Sequence, residues 1–284
     1  MVVSRVKALW DLCGSTCVLY TALFLSIIST DAFSKSEQVN GNYNISVAGF
    51  TVAKGTLNLT LNGSSYSAAV EMEPAGIGTL FSTGKGGARA KGWVSSSKVL
   101  ASRYEMASST TKRDFYVNLK QASGHIHRAE VRPGFKPSKT RIKVTKEHIK
   151  NALDPLSAAL MPVKVQRHAL SPKACERTLP IFDGWVRFDI KLEYKEVRHI
   201  SNSGYEGPVV ICKAKWIPVA GHKPERKNIK MLSKSNKIEV WLAPISQKRV
   251  LIPYRISIPT GTGALVVEAR QLTLPTSGKR AAAQ

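Results

Sequence analysis

Side chains with metal-binding chemistry are sparse in this sequence. His125 and His127 stand two residues apart in a predicted strand, so both should point to one face, which is the spacing that two metal ligands need. A third ligand is not evident, because the other histidines are scattered without Cys, Asp or Glu at ligand spacing. We therefore expect solvated histidines and no bound metal.

Motifs for catalysis are also weak. The chain has no G-x-S-x-G nucleophile turn. Asp183 and Asp189 are an acidic pair of the kind that cleaves glycosides, but Asp183 belongs to an Asp-Gly turn and Asp189 to a charged outward face. The glycines of 76–78 and 84–87 match no phosphate-binding fingerprint and favour bends between strands. We expect no cofactor and no enzymatic activity, and a cell-wall glycan hydrolase is the enzymatic alternative.

The N-terminal segment has the three parts of a secretory signal peptide. Arg5 and Lys7 precede an apolar stretch over 18–28, and small residues follow it. About eleven apolar residues are too few to cross a bilayer, which takes about twenty. We expect 1–34 to be removed by cleavage near Ala32 or Ser34, which places the mature chain in the periplasm, with an uncleaved anchor as the alternative.

Export determines how the cysteines are interpreted. Cys13 and Cys17 lie in the predicted signal peptide, so the mature chain keeps Cys175 and Cys212. Two cysteines in an oxidising compartment allow one intramolecular pairing, and C-x-x-C redox spacing is absent. The sequence therefore predicts a structural disulfide between Cys175 and Cys212.

The chain is strongly basic, with a formal net charge of +23. Residues 131–284 carry 29 basic and 11 acidic side chains, whereas 35–130 carry 11 and 6. The densest cluster lies within 222–237 and comprises Lys223, Arg226, Lys227, Lys230, Lys234 and Lys237. We expect this patch to bind an anionic envelope component, either peptidoglycan, lipopolysaccharide or an acidic periplasmic protein, and not nucleic acid. A solvated insertion between strands is the alternative.

Hydrophobic alternation predicts a mainly β protein with an antiparallel curved sheet or a spiral barrel-like fold. The predicted strands are 43–47, 55–61, 65–72, 89–94, 98–106, 114–121, 125–131, 186–195, 207–216, 237–242, 250–258 and 264–272. Turns are expected at 48–49, at Asn62-Gly63 as a type I′ hairpin, and at 123–124. One short helical segment is expected around 146–161, with Asp154 capping a helix from Pro155 to about Leu160.

The strand at 186–195 alternates strictly. Val186, Phe188, Ile190, Leu192 and Tyr194 should face inward, and Arg187, Asp189, Lys191, Glu193 and Lys195 outward. The curved interior could hold packed side chains or an apolar pocket lined by residues such as Phe188, Ile190, Leu192, Trp216 and Tyr254.

We expect 35–276 to be a single β-rich domain, with a disordered tail over 277–284. Pro and Gly interrupt the pattern near 132–140, so two lobes over 35–132 and 141–276 are an alternative.

Several motifs resemble a known family. They are Asp154-Pro155-Leu156-Ser157-Ala158, Cys175, the run from Phe182 to Asp189, Cys212, and the run from Ile217 to His222. In these the chain resembles an exported alphaproteobacterial family, domain of unknown function 3108, over nearly the whole mature sequence. In outline it is also similar to periplasmic spiral-barrel proteins linked to envelope integrity, which have a disulfide and bind other envelope proteins.

These resemblances imply a location and an architecture, and no activity. Together with the charge, they favour a non-enzymatic periplasmic protein that supports the cell envelope by binding an envelope polymer or a partner protein. We expect it to be peripheral to the membrane. The alternative is a periplasmic carrier of a lipid or another apolar ligand in a barrel cavity.

Overall fold

The structure, a computed structural model, describes residues 36–110, 113–135, 138–202, 204–245 and 250–275, apart from the side chain of Gln166. The predicted signal peptide over 1–34, its cleavage sites and the predicted tail over 277–284 lie outside these residues. Fourteen strands and two α-helices form within the described ranges.

Seven strands make up the N-terminal region. They are β1 (Glu37–Val47), β2 (Phe50–Asn62), β3 (Ser65–Pro74), β4 (Gly86–Val94), β5 (Val99–Ser109), β6 (Asp114–Ala122) and β7 (His125–Arg132). One turn of 3-10 helix, Gly76–Leu80, joins β3 to β4, where the glycines of 76–78 predicted a bend between strands.

The C-terminal region contains the other seven strands and both α-helices. The strands are β8 (Met161–Pro162), β9 (Arg177–Phe182), β10 (Arg187–Asn202), β11 (Tyr205–Ala220), β12 (Ile238–Ile245), β13 (Val250–Thr260) and β14 (Gly263–Thr273). The helices are α1 (Pro155–Ala158) and α2 (Lys227–Lys234). Two short 3-10 helices, Gln166–Leu170 and Pro172–Ala174, lie between β8 and β9.

All strands join one antiparallel sheet. Its order is β7-β6-β5-β4-β3-β2-β1-β14-β13-β12-β11-β10-β9, and β8 pairs with β13. β1 lies between β2 and β14, so the sheet runs without interruption from the N-terminal into the C-terminal region. The predicted mainly β, antiparallel, barrel-like fold is confirmed.

The two ends of the sheet meet at a seam, which we define as residues 150–153. Lys150 forms a bridge with His125 at the start of β7, and Leu153 forms a bridge with Ile181 in β9. The amide of Leu153 donates to the carbonyl of Pro180 at 2.7 Å. Since no ladder joins β7 directly to β9 in the described residues, the sheet curls round without closing.

Tight turns connect neighbouring strands. Residues 48–49 and 123–124 have positive φ at both central positions, which is the type I′ pattern. The type I′ turn predicted at Asn62-Gly63 is wrong by one residue, because Gly63 and Ser64 occupy its centre. Only Gly63 has a positive φ there, +56°. That conformation fits a type II′ turn, in which Gly avoids a steric clash.

Two apolar cores occupy opposite faces of the sheet. The inner core fills the concave side and includes Val39, Leu59, Tyr66, Val117, Leu119, Ile211, Ile252 and Tyr254. The outer core lies on the other side of β10–β13 and includes Met161, Val163, Ala174, Leu192, Val210, Ala214, Trp216 and Leu242. An outer layer, defined as residues 159–177 together with α2, covers this second core. The curved interior is therefore packed with side chains.

The predicted helical segment is shorter than expected. Asp154 is the N-cap, its carboxylate accepts from the Ser157 amide at 2.8 Å, and Pro155 begins the helix, as predicted. The helix ends at Ala158 instead of about Leu160, because the chain enters β8 three residues later. The second helix, α2, was not predicted.

The alternation predicted for β10 fails at two positions. Arg187 is buried, because its Nε donates to the carbonyl of His148 at 2.8 Å and its guanidinium pairs with Asp189. Tyr194 is exposed, because the ladder with β11 has an irregularity between Tyr194 and Glu196.

Candidate anion-binding site

The predicted anion patch is arranged around α2. Ile229 and Leu232 pack against the outer core, three residues apart on one side of the helix. Lys227, Lys230 and Lys234 follow the three- and four-residue spacing that brings side chains to one helix face, and all three are exposed. The two apolar contacts therefore hold the helix on the sheet while its lysines face solvent.

The lysines of α2 are electrostatically unopposed. Among the described residues, no Asp or Glu lies within ion-pair distance of Lys227, Lys230 or Lys234. Uncompensated like charges on a rigid element raise the local positive potential and attract anions. The helix therefore presents three lysines on one face without an acidic partner among the described residues.

The start of the patch is partly neutralised. Glu225 accepts a hydrogen bond from Thr140 Oγ1 at 2.9 Å. A hydrogen bond from its own backbone amide, the Thr140 bond and the nearby charges of Lys223 and Arg226 hold the pKa of Glu225 below its usual range. Lys223 and Arg226 therefore contribute less net field than the helix lysines. Lys237 is exposed at the other end of the patch.

The described residues also contain a small apolar cavity beside α2. Its volume is about 180 Å³, and its walls come from Pro155, Met161, Ile190, Leu192, Trp216 and Leu232, among others. Ile190, Leu192 and Trp216 were named as the lining of an alternative apolar pocket inside the curved sheet, but the cavity that they line is on the outer side of the sheet. Phe188 packs against Trp216 with ring centroids 5.9 Å apart. Tyr254 was placed in this group wrongly, because it faces the inner core on the other side of the sheet.

The predicted disulfide is present. Cys175 and Cys212 are bonded, with Cα atoms 5.6 Å apart, and both are fully buried. Cys175 follows the second 3-10 helix of the outer layer, and Cys212 lies in β11. The bond therefore fastens the outer layer to the sheet.

A buried polar network joins α1 to the inner core. Asp154 accepts from Ser157 Oγ at 2.5 Å and from Gln121 Nε2 at 3.1 Å, and Ser157 Oγ lies 2.6 Å from the Tyr66 hydroxyl. Burial raises the pKa of Asp154 against the opposing effect of these hydrogen bonds. Only the cap was expected from sequence, because Gln121 and Tyr66 are distant in the chain.

Asp183 and Asp189, the acidic pair considered for glycoside cleavage, both have structural partners. Asp183 accepts from the amides of Trp185 and Val186, both at 2.7 Å, which is the turn role that the sequence indicated. Burial raises the pKa of Asp183. Asp189 pairs with Arg187 at 2.7 Å.

The remaining candidates stay apart from one another. His125 and His127 are exposed on one face of β7, and no group of three metal-ligating side chains forms in the part of the chain that the structure describes. Gly78 packs on the backbone at Val52 and Gly84 on Ser109, where an added Cβ would clash with a carbonyl oxygen. These glycines permit close chain packing.

Neither helix within the described ranges has the length and hydrophobicity needed to span a bilayer.

A family model with the description "Protein of unknown function (DUF3108)" matches residues 42–270. Among solved structures, the chain is similar to a β-barrel-like protein of domain of unknown function DUF1849 from Brucella abortus. That similarity has a TM-score of 0.49 and 7% sequence identity, and it covers 84% of this chain and 98% of the other. No curated protein matches the sequence.

Proposed function

The chain belongs to the DUF3108 family of proteins of unknown function, and we propose that it is a non-enzymatic periplasmic protein. It supports the cell envelope by binding an anionic envelope component through the lysine face of α2. The disulfide between Cys175 and Cys212 supports an oxidising compartment.

The observation that carries this proposal is the unopposed charge of α2. Exposed lysines are common on protein surfaces, and some in the C-terminal region have an acidic neighbour, as Lys173 has Glu176 and Lys195 has Glu239. Lys227, Lys230 and Lys234 have none among the described residues. A phosphate or carboxylate of a ligand would supply the missing counter-charge.

A non-enzymatic role fits the partners of the carboxylates. Asp154 caps a helix, Asp183 holds a turn and Asp189 pairs with Arg187. Each of these three carboxylates therefore has a structural role within the fold.

The test is binding of the mature protein to anionic surfaces. We would measure co-sedimentation with phosphatidylglycerol vesicles, with phosphatidylcholine vesicles and with purified peptidoglycan. Binding should fall as the salt concentration rises from about 50 to about 300 mM, because screening weakens contacts between exposed charges. The variant Lys227→Gln, Lys230→Gln, Lys234→Gln should lose most of its binding to the anionic surfaces.

A matched control removes the same charge elsewhere. Lys54, Lys85 and Lys91 are exposed in the N-terminal region, and their replacement by Gln lowers the net charge equally. The control variant should keep most of the binding. Equal loss in both variants would indicate a general charge effect, and unchanged binding in the α2 variant would contradict the proposal.

A second candidate is carriage of an apolar ligand, which the cavity beside α2 favours. Its volume of about 180 Å³ is below the roughly 300 to 1,000 Å³ typical of small-molecule sites, so only part of an acyl chain fits without movement of α2. Native mass spectrometry of protein purified from its own periplasm separates the candidates. A carrier retains an adduct of lipid mass, and a protein that acts only through its lysine face does not.

A further inference from the structure

A second concave surface lies at the seam, away from α2. It is a cleft of about 740 Å³ with two walls. One wall comes from the β4–β5 and β6–β7 turns with the adjoining ends of β5 and β6, and the other from residues between 160 and 180, which include parts of β8 and β9. The cleft therefore opens where the two ends of the sheet approach one another, and both ends contribute residues to its lining.

The cleft is cationic. Its lining contains four basic side chains, Lys98, Lys164, Lys173 and Arg177, and one acidic side chain, Glu176. Lys173 Nζ lies 2.6 Å from Glu176, so the excess of positive charge comes from Lys98 and Arg177, which form no ion pair among the described residues. A cleft lined by one sign of charge concentrates the field within it and favours an anionic ligand.

Arg177 is the most constrained of these cations. It begins β9, its Cα is paired with Leu192, and it follows the disulfide at Cys175 by two residues. One guanidinium nitrogen donates to the carbonyl of Pro162 at 2.9 Å, while the buried Nε has no hydrogen-bond partner. A guanidinium fixed in the wall of a cleft is suited to an oxyanion, because its planar fork matches carboxylate and phosphate geometry.

The rest of the lining is largely apolar. Leu100 and Leu153 contribute from the N-terminal wall and the seam, and Leu160, Val163 and Leu179 from the opposite wall. Such surface gains free energy when it covers an apolar group of a ligand. The cleft thus presents a cationic group beside an apolar groove within one concavity.

We propose that this cleft binds a small amphiphile with one terminal oxyanion, a phosphate monoester or a carboxylate, next to Arg177 and with its apolar body along the leucine-lined wall. This site is separate from the lysine face of α2, so each can be disproved without the other. The cleft has no signature in the sequence, because its walls come from segments about 25 to 80 residues apart in the chain.

The experiment uses the mature protein and four probes in isothermal titration calorimetry, each below its micellar concentration. Decyl phosphate and decanoate carry both features of the ligand, decanol lacks the charge, and inorganic phosphate lacks the apolar body. At least one of the two anionic amphiphiles should bind, and both decanol and phosphate should bind at least about ten-fold more weakly. The stronger anionic amphiphile identifies the type of oxyanion.

Variants locate the binding. Arg177→Gln should weaken the stronger amphiphile about ten-fold or more, and Leu100→Trp should weaken it by filling the groove. Arg89→Gln, on the exposed face of β4, is the matched control and should leave affinity unchanged. Because Arg177 contacts Pro162, circular dichroism checks its folding. Lys98→Gln, in an exposed turn, gives a second test with an expected loss of about two- to five-fold.

Three results would overturn the proposal. The first is a folded wild-type protein that binds neither anionic amphiphile. The second is decanol bound as tightly as decyl phosphate and decanoate, which would remove the role of the oxyanion. The third is unchanged affinity in both Arg177→Gln and Lys98→Gln, which would place any binding outside the cleft.

Discussion

The N-terminal and C-terminal regions use the same antiparallel sheet in different ways. In β3, Tyr66 and Ala68 face the inner core while Ser67 between them is exposed, so only one face is covered. In β11, residues 209–212 are all fully buried, with Ile211 in the inner core and Val210 in the outer core. The C-terminal strands therefore lie between two apolar layers.

The candidate ligand sites follow this difference in how many faces of the sheet are covered. The outer layer exists only over the C-terminal strands, and it contains α2 with its lysines and the loop that ends in Arg177. The N-terminal strands supply the inner core and one wall of the cleft. Both proposed ligand sites thus depend on the outer layer.

The largest expected effect tests whether both faces of β11 are essential. Val210→Asp places a carboxylate in the outer core and should reduce the free energy of unfolding by about 5 kcal/mol or prevent folding. Ser67→Asp, on the uncovered face of β3, should change it by no more than about 0.5 kcal/mol. Urea unfolding followed by tryptophan fluorescence measures both. Similar losses in the two variants would break the distinction between the regions.

The next effect concerns the attachment of the outer layer. The disulfide links residues 37 positions apart. Replacing Cys175 and Cys212 by Ala together should lower the free energy of unfolding by about 4 kcal/mol on the chain-entropy estimate. Chemical denaturation of the wild type with and without reductant is the control, and reduced wild type should resemble the variant. A variant as stable as the oxidised protein would show that packing alone holds the layer.

A smaller effect concerns α1, beneath which the two regions share the Asp154 network. Asp154→Ala removes the cap and leaves Gln121 without its acceptor, so the free energy of unfolding should fall by about 2 kcal/mol. Thermal and urea unfolding at neutral pH measure the loss. Asp114→Asn, at the exposed start of β6, should have little effect.

The pH dependence of the same residue follows from its burial. Because burial raises the pKa of Asp154, the folded state holds this proton more tightly than the unfolded state does. The stabilisation is full below the unfolded pKa of about 3.9 and is lost as pH rises through the folded pKa. Asp154→Asn, which cannot ionise, should therefore flatten the decline in stability above about pH 4. An unchanged pH profile would contradict this assignment.

The smallest effect tests how α2 is held. Leu232 packs against the outer core and lines the apolar cavity, whereas Met231 is more exposed. Leu232→Ala should lower the free energy of unfolding by about 1 kcal/mol, and Met231→Ala by less than about 0.5 kcal/mol. Urea titrations compare them. A larger effect at Met231 would mean that the helix contacts the sheet through its other side.

Much of the fold was readable from local pattern. Alternation located the twelve longest strands, and glycine-containing pairs located three of the tight turns, one of them displaced by one residue, because both signals depend on residues close in sequence. The short strands β8 and β9 were missed, since two residues, or six that include Pro180, show no usable period. The helix α2 was missed because its many lysines suggested a solvated loop, although Ile229 and Leu232 stand at helical spacing.

The candidate sites were likewise predictable only where they depend on residues close in the chain or on simple counting. The basic patch was predicted because its residues lie close together in the chain, within 223–237, and the disulfide because two cysteines allow one pairing. The cleft and the Asp154 network could not be predicted, because Arg177 and Lys98 line one cleft, and Tyr66 joins Asp154 through Ser157, only after the sheet has curled.

The sequence by itself therefore determined the strand pattern, the disulfide partners and the position of the densest positive charge, since each depends on neighbouring residues or on simple counting. The tertiary structure alone decided that Val210 and Ile211 are buried on opposite faces, that α2 covers the outer core, and that the two sheet ends form a cleft at Arg177. These features depend on long-range packing. The residues next to a position in the chain do not specify which distant residues it will contact across the sheet.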